Sequence, residues 1–135
     1  MKKILIADDE QHIVRVLKLY LEREGYTVQT AADGQAALAM ILENPPDVLI
    51  TDIHMPRMTG QALCLALVEQ LPTRAFPIFV MTSMTDREHR EWTKKIERLE
   101  FLEKPLSMRT MLTRLNKVFS DAQASAEVIK EPSNA

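Results

Sequence analysis

The chain has 135 residues, enough for one domain with a real core and too few for two comfortable ones. Apolar residues make up 46% and charged residues 27%, with a formal net charge of -2, which excludes a disordered chain and argues against nonspecific nucleic-acid binding. No run reaches membrane-spanning length, and the apolar stretch before Asp8-Asp9 is too short for a signal peptide, so a soluble cytoplasmic protein is expected.

In chain order, five short β-rich runs recur: KILIA at 3–7, YTVQT at 26–30, DVLIT at 47–51, PIFVMT at 77–82 and FLEK at 101–104. Helical patterns separate them. In residues 10–24, Ile13, Leu17, Tyr20 and Leu21 form a stripe that ends at Gly25, while Glu10, Arg15, Lys18 and Glu22 fall elsewhere. Residues 34–44 place Ala37, Leu38, Ile41 and Leu42 on one side and stop at Pro45-Pro46, because the residue before a proline leaves helical space. Residues 60–70 form a third helix, in which Cys64, the single cysteine, reads as a buried structural thiol. A fourth is expected over 86–98, largely solvated, with Trp92, Ile96 and Leu99 as its narrow stripe, and a fifth over 107–119. Five strands alternating with five helices, the strands continuously apolar, predict a doubly wound α/β fold with a parallel sheet covered on both faces. The domain is expected over 1–120, with 121–135 as a C-terminal tail or the start of a linker.

In open α/β sheets the binding crevice lies outside the carboxyl ends of the strands. Strand one ends in Asp8-Asp9, strand three in Asp52, strand four in Thr82-Ser83 and strand five in Lys104-Pro105. Converging carboxylates repel, and a cation resolves this; all-oxygen donors without a histidine or thiolate cluster suit Mg²⁺. Lys104 and the Thr82 hydroxyl are surplus to metal binding, but they supply the positive charge and the donor that a phosphoryl group needs. Asp52 is then a candidate nucleophile forming an aspartyl phosphate. Each piece alone has a plainer reading, Asp-Asp as a turn or helix cap and Thr82 as a β-branched strand residue; their joint placement at strand ends favours the site.

ILIADDE, DVLITDIHMPRMTG, FVMTS and FLEKP together resemble the receiver domain of two-component response regulators, over about residues 1–120. The resemblance implies a flavodoxin-like sheet of order 2-1-3-4-5, with Asp52 as phospho-acceptor, Asp9 as a direct Mg²⁺ ligand, Asp8 as an acidic partner acting through metal-bound water, and the His54 carbonyl as a further ligand. It implies Thr82 as the switch hydroxyl, Lys104 as the phosphate-pairing cation before a cis peptide to Pro105, Phe101 as the switch aromatic, and Ser83 as the small residue giving phosphate access. Met55 and Met58 are expected to pack, the His54 side chain to point outward, Pro56 to stiffen the loop, and Gly60 to permit a tight turn. His54 and Met84 stand where the family modulates water access to the phosphoryl group. Before strand five the chain departs from the family's Gly-Ala-type pair with Glu97-Arg98, for which a more helical approach is expected.

Also implied is a signalling module that catalyses its own phosphotransfer and slow autodephosphorylation, and otherwise acts as no enzyme. Its partners would be a sensor histidine kinase or phosphotransfer protein, a downstream target or fused effector, and a second copy of itself, with no direct nucleic-acid or membrane contact. A mixed-charge face around Arg87, Arg90, Lys94, Lys95 and Arg98 with Glu88, Glu91 and Glu97 suits a protein partner. Two rivals remain: a haloacid-dehalogenase-like phosphatase, which needs an acid where His54 stands, and a docking-only adaptor, which has no electrostatic reason for adjacent carboxylates.

Overall fold

VLITD and IFVMT, two five-residue runs without an exposed side chain, lie side by side at the centre of a sheet whose interior leaves no room for alternation between polar and apolar residues. The computed structural model describes residues 2–83 and 91–120. The strands are β1 (Lys3–Ala7), β2 (Thr27–Ala31), β3 (Val48–Asp52), β4 (Ile78–Thr82) and β5 (Leu99–Glu103), all parallel and in the order β2-β1-β3-β4-β5. The helices are α1 (Gln11–Arg23), α2 (Gly34–Glu43), α3 (Gly60–Gln70) and α4 (residues 108–120), with a 3-10 helix at Glu91–Lys95. The doubly wound architecture and the strand order agree with expectation. Continuous apolarity holds for β1, β3 and β4, whereas β2 and β5 mix exposed and buried positions because they are the edges of the sheet.

Local chemistry explains where the helices begin and end. Asp33 caps α2 by accepting from Ala36 N at 2.7 Å, and Thr59 caps α3 by accepting from Ala62 N at 3.1 Å. At α1 the cap position is Glu10, whose side chain makes no capping bond; Asp8 Oδ1 instead accepts from Glu10 N at 3.0 Å. Burial on α1 falls on Val14, Leu17 and Leu21, with Ile13 and Tyr20 half-buried, so the stripe is one residue wider than its periodicity suggested. On α2, Ala37 and Ile41 are buried and Leu42 is exposed. Cys64 is fully buried, and burial pushes its thiol up to about 12, the Arg74 charge pulling the other way.

The chain divides into two compact units, Met1–Pro105 and Leu106–Ala135. The first holds the sheet and a core around Leu5, Ile41, Leu49, Leu63, Leu67 and Ile78. In the second, Ser107 Oγ accepts from Thr110 N at 3.2 Å where α4 starts, and Met111 and Leu115 are buried.

The expected helix over 86–98 is corrected in its described part. Residues 91–95 are a 3-10 helix, Glu97 and Arg98 form a turn, and Leu99 opens β5, so the stripe read through Trp92, Ile96 and Leu99 crosses three different structures. Arg98 adopts φ 57°, and its carbonyl accepts from Ile78 N at 2.8 Å, which aligns the start of β5 with β4; a helix through this pair would break that bond. Arg98 donates to Ala75 O and Arg74 to Glu97 O, joining the turns before β4 and β5. Residues 84–90, and with them Met84, Arg87, Glu88, His89 and Arg90, lie outside the described residues, as does the tail 121–135.

Gly60 is required for a different reason from the turn expected of it. It opens α3 with its N–H donating to Ile53 O at 2.8 Å, and a Cβ there would overlap the Asp52 carbonyl oxygen and lie 2.9 Å from Ile53 Cα. The end of β3 is therefore held against the first turn of α3 by an absence of side chain. Gly25, in contrast, has φ 96° and open space around it, so a side chain there strains only the backbone. Gly60→Ala is expected to lower unfolding stability in urea by about 2–3 kcal/mol, and Gly25→Ala by only about 1 kcal/mol.

Candidate functional site

The parallel register delivers the polar residues to one rim. Ala7 pairs with Thr51, so the next residues, Asp8 and Asp52, stand level at the ends of β1 and β3. Asp52 pairs with Met81, putting Thr82 one step further along β4, and Thr82 pairs with Glu103, so that Lys104 follows at the end of β5. Asp52 is the last residue of its strand, one place further in than its sequence suggested, and is 4% exposed. Lys104 N donates to Thr82 O at 2.8 Å, and the Lys104-Pro105 bond is cis as expected.

Lys104 Nζ donates to Asp52 Oδ1 at 2.9 Å, and Ile53 N donates to the same oxygen at 2.9 Å. Both hydrogen bonds fall on Oδ1. Asp8, Glu10 and Asp52 each offer a carboxylate oxygen within 4.8 Å of the others. Among the described residues these three carboxylates share one lysine, Lys104. Asp8 is fully buried and its Oδ2 has no hydrogen-bond partner among the described residues, which costs stability unless something positive pairs with it. An orphaned buried carboxylate oxygen within an all-oxygen donor set fits a hard divalent cation.

Burial raises the Asp8 carboxyl above the ordinary carboxylate range, against the hydrogen bond from Glu10 N, while the Asp52 charge adds to the rise and Lys104 opposes it. For Lys104, burial works to lower the ammonium, but the hydrogen bond and charge of Asp52, with Asp8 and Glu10, outweigh it and leave the group raised.

The other expected site residues fall as follows. Asp9 is exposed and stands outside the carboxylate group just described. The His54 side chain is exposed, Met55 is buried, and Met58 is half-buried against the core, as foreseen. The Thr82 hydroxyl donates to Ser83 O at 3.0 Å, Ser83 is half-buried, and Phe101 packs partly buried against the core. Glu10 was missed: its place on the polar side of α1 hid that it follows Asp8 by two residues, within reach of the same rim.

A carboxyl with a higher pKa folded than unfolded holds its proton more tightly in the native state, so its ionisation costs stability. That cost is absent below the unfolded value near about 4 and grows as pH rises through the folded value. Without divalent metal, Asp8→Asn, which keeps the acceptor for Glu10 N, is expected to raise unfolding stability at neutral pH by about 1 kcal/mol, with the gain vanishing as pH falls towards about 4. Urea titrations across that range check it.

The family model "Response regulator receiver domain" matches residues 4–116. The alkaline phosphatase synthesis transcriptional regulatory protein PhoP of Bacillus subtilis is 32% identical over 125 residues, covering 93% of this chain and 51% of that protein. Response regulator PleD of Caulobacter vibrioides is 34% identical over 116 residues, covering 86% of this chain and 26% of that protein. The chain thus spans about half the length of the first of these relatives and about a quarter of the second. Among solved structures, a response regulator receiver domain protein from Clostridium thermocellum superposes with TM-score 0.81 at 27% identity, covering 92% of this chain and 98% of that one. Chemotaxis response regulator CheY4 of Vibrio cholerae gives 0.78 at 36% identity, covering 87% and 98%. With the family model matching most of its length and receiver domains similar to it in sequence and in fold, the chain belongs to the family of response regulator receiver domains of two-component systems.

Proposed function

We propose that Asp52 accepts a phosphoryl group from a phosphohistidine, carried by a sensor histidine kinase or a phosphotransfer protein, and that residues 1–120 act in the cytoplasm as the receiving unit. The observation that carries this is the buried Asp52 carboxylate, bound through Oδ1 to Lys104 with Oδ2 left to react, beside the crowded Asp8 and Glu10. Mg²⁺ would be held by Asp9, Asp52 and the His54 carbonyl, with Asp8 and Glu10 flanking it. When bound, it neutralises charge on the incoming phosphoryl oxygens.

Asp52 Oδ2 attacks phosphorus and forms the O–P bond; the P–N bond to the donor imidazole breaks, and its electron pair leaves with the ring nitrogen, which takes up a proton. Lys104 follows the phosphoryl oxygens as charge moves off the carboxylate, and Ser83 leaves room for them. Hydrolysis by water at the same phosphorus returns the carboxylate slowly. Thr82, one step beyond Asp52, turns its hydroxyl from Ser83 O to the phosphoryl group, and the space it leaves admits Phe101. The surface near β5 and the 3-10 helix then changes for a downstream protein, a fused effector or a second copy. The transcriptional regulators among the relatives motivate the effector reading.

Incubation with acetyl phosphate and Mg²⁺ is expected to add the mass of one phosphoryl group, abolished by Asp52→Asn and by chelation. Trp92, half-buried against the core, changes fluorescence on full phosphorylation, and Thr82→Ala accepts phosphate without that change. Labelling of Asp52→Asn at the wild-type rate overturns the acceptor assignment; a static Trp92 signal together with unchanged self-association overturns the switch.

A further inference from the structure

The loop between Asp52 and α3 is tied to the start of α2 by a carboxylate and by a backbone hydrogen bond. Asp33, at the start of α2, is 5% exposed and uses its two oxygens for two different elements. Oδ1 accepts from Ala36 N at 2.7 Å and caps α2, while Oδ2 accepts from Arg57 Nε at 2.8 Å. Arg57 lies five residues after Asp52, in the loop, and adopts φ 63°, a backbone conformation that a residue with a Cβ enters only when something holds it there. Immediately beside this pair, Gly34 N donates to Met58 O at 3.1 Å, and a Cβ on Gly34 would overlap that carbonyl, so the two segments are in backbone contact. At its other end the loop is fixed by Ile53 N on Asp52 Oδ1 and by Gly60 N on Ile53 O.

Arg57 thus holds the middle of a loop whose two ends are already fixed. That middle segment begins with His54, whose carbonyl belongs to the proposed cation ligand set. The Arg57 side chain is largely exposed apart from this ion pair; the hydrogen bond from Met58 N to Pro56 O at 2.6 Å closes a tight turn across Arg57 that sets its positive φ, and the buried Asp33 carboxylate anchors that turn to α2. The hydrogen bond from Ala36 and that from Arg57 hold the Asp33 carboxyl below the usual range, so Asp33 stays ionised at physiological pH.

We propose that Arg57 is a positioning residue for the phospho-acceptor loop, latched through Asp33 to α2 so that the carbonyl following Ile53 is presented to the cation. The inference rests on the phospho-acceptor reading above and adds to it that the cation affinity of the rim is set partly by a pair that touches neither metal nor phosphate. It also makes the N-terminus of α2 a place from which that affinity is altered.

Two variants separate the latch from the cap and from the backbone strain. Asp33→Asn keeps an N-cap oxygen, since Asn caps as well as Asp, but presents no second acceptor to Arg57. Arg57→Gly removes the latch while tolerating the positive φ. The Mg²⁺ concentration giving the half-maximal rise in melting temperature is measured without phosphodonor, along with hydrogen exchange at the Gly34 amide in chelator. Both variants are expected to need roughly tenfold more Mg²⁺, the range for groups that orient metal ligands from behind. They exchange the Gly34 amide faster, with melting temperatures in chelator close to wild type. Arg57→Lys recovers part of the affinity, and the double variant is no weaker than either single one. Wild-type Mg²⁺ requirement in both single variants, in a protein that binds Mg²⁺ and labels normally, overturns the inference alone. A wild type that shows no Mg²⁺ response overturns the phospho-acceptor reading and this inference with it, and unchanged Gly34 exchange in the variants separately shows that the pair does not hold the loop.

Discussion

A buried carboxylate with one oxygen unsatisfied, 0% exposed and level with a second buried carboxylate, is an expensive feature for a small fold to keep. Asp8 carries it, and Asp52 stands beside it with Lys104 on its Oδ1. Among the described residues one ammonium, Lys104, is paired with these three acids, which leaves an excess of negative charge at the rim. Under the proposed function, a divalent cation or a phosphoryl-cation pair would gain binding energy from these crowded carboxylates, whose repulsion costs the fold stability.

Everything else in the sheet serves to hold that imbalance still. Three continuously apolar strands fix the register through close packing, so that the side chains one step beyond Ala7 and Thr51 face each other with little freedom to separate. Gly60 lets α3 close on the carbonyl of Asp52, and the Arg57–Asp33 pair closes the loop from the far side. A softer frame would let the carboxylates drift apart and lose the cation affinity that the proposed function requires.

The fold and the rim were legible in the sequence because both follow from local pattern: apolar runs bounded by acids, a hydroxyl and a lysine, with helical stripes between them. What escaped depended on contacts between distant segments. Glu10 read as a polar helix position, since only the turn after β1 shows that it faces Asp52. Leu99 read as part of a helix because an apolar residue at helical spacing looks the same whether it completes a stripe or begins an edge strand, and the left-handed turn at Arg98 decides between them. Asp33 before Gly34 is recognisable as a cap signal, but its second bond joins residues 24 apart in sequence and no local pattern announces it.

The most direct measurement is a crystal structure grown with Mg²⁺ and beryllofluoride, which mimics a phosphoryl group on a carboxylate. The account predicts beryllium bonded to Asp52 Oδ2, fluorines contacting Lys104 Nζ and the Thr82 hydroxyl, and Mg²⁺ beside Asp52 among the acids of the first loop. Beryllofluoride absent from Asp52 at saturating concentration, or Mg²⁺ bound away from these carboxylates, would contradict it.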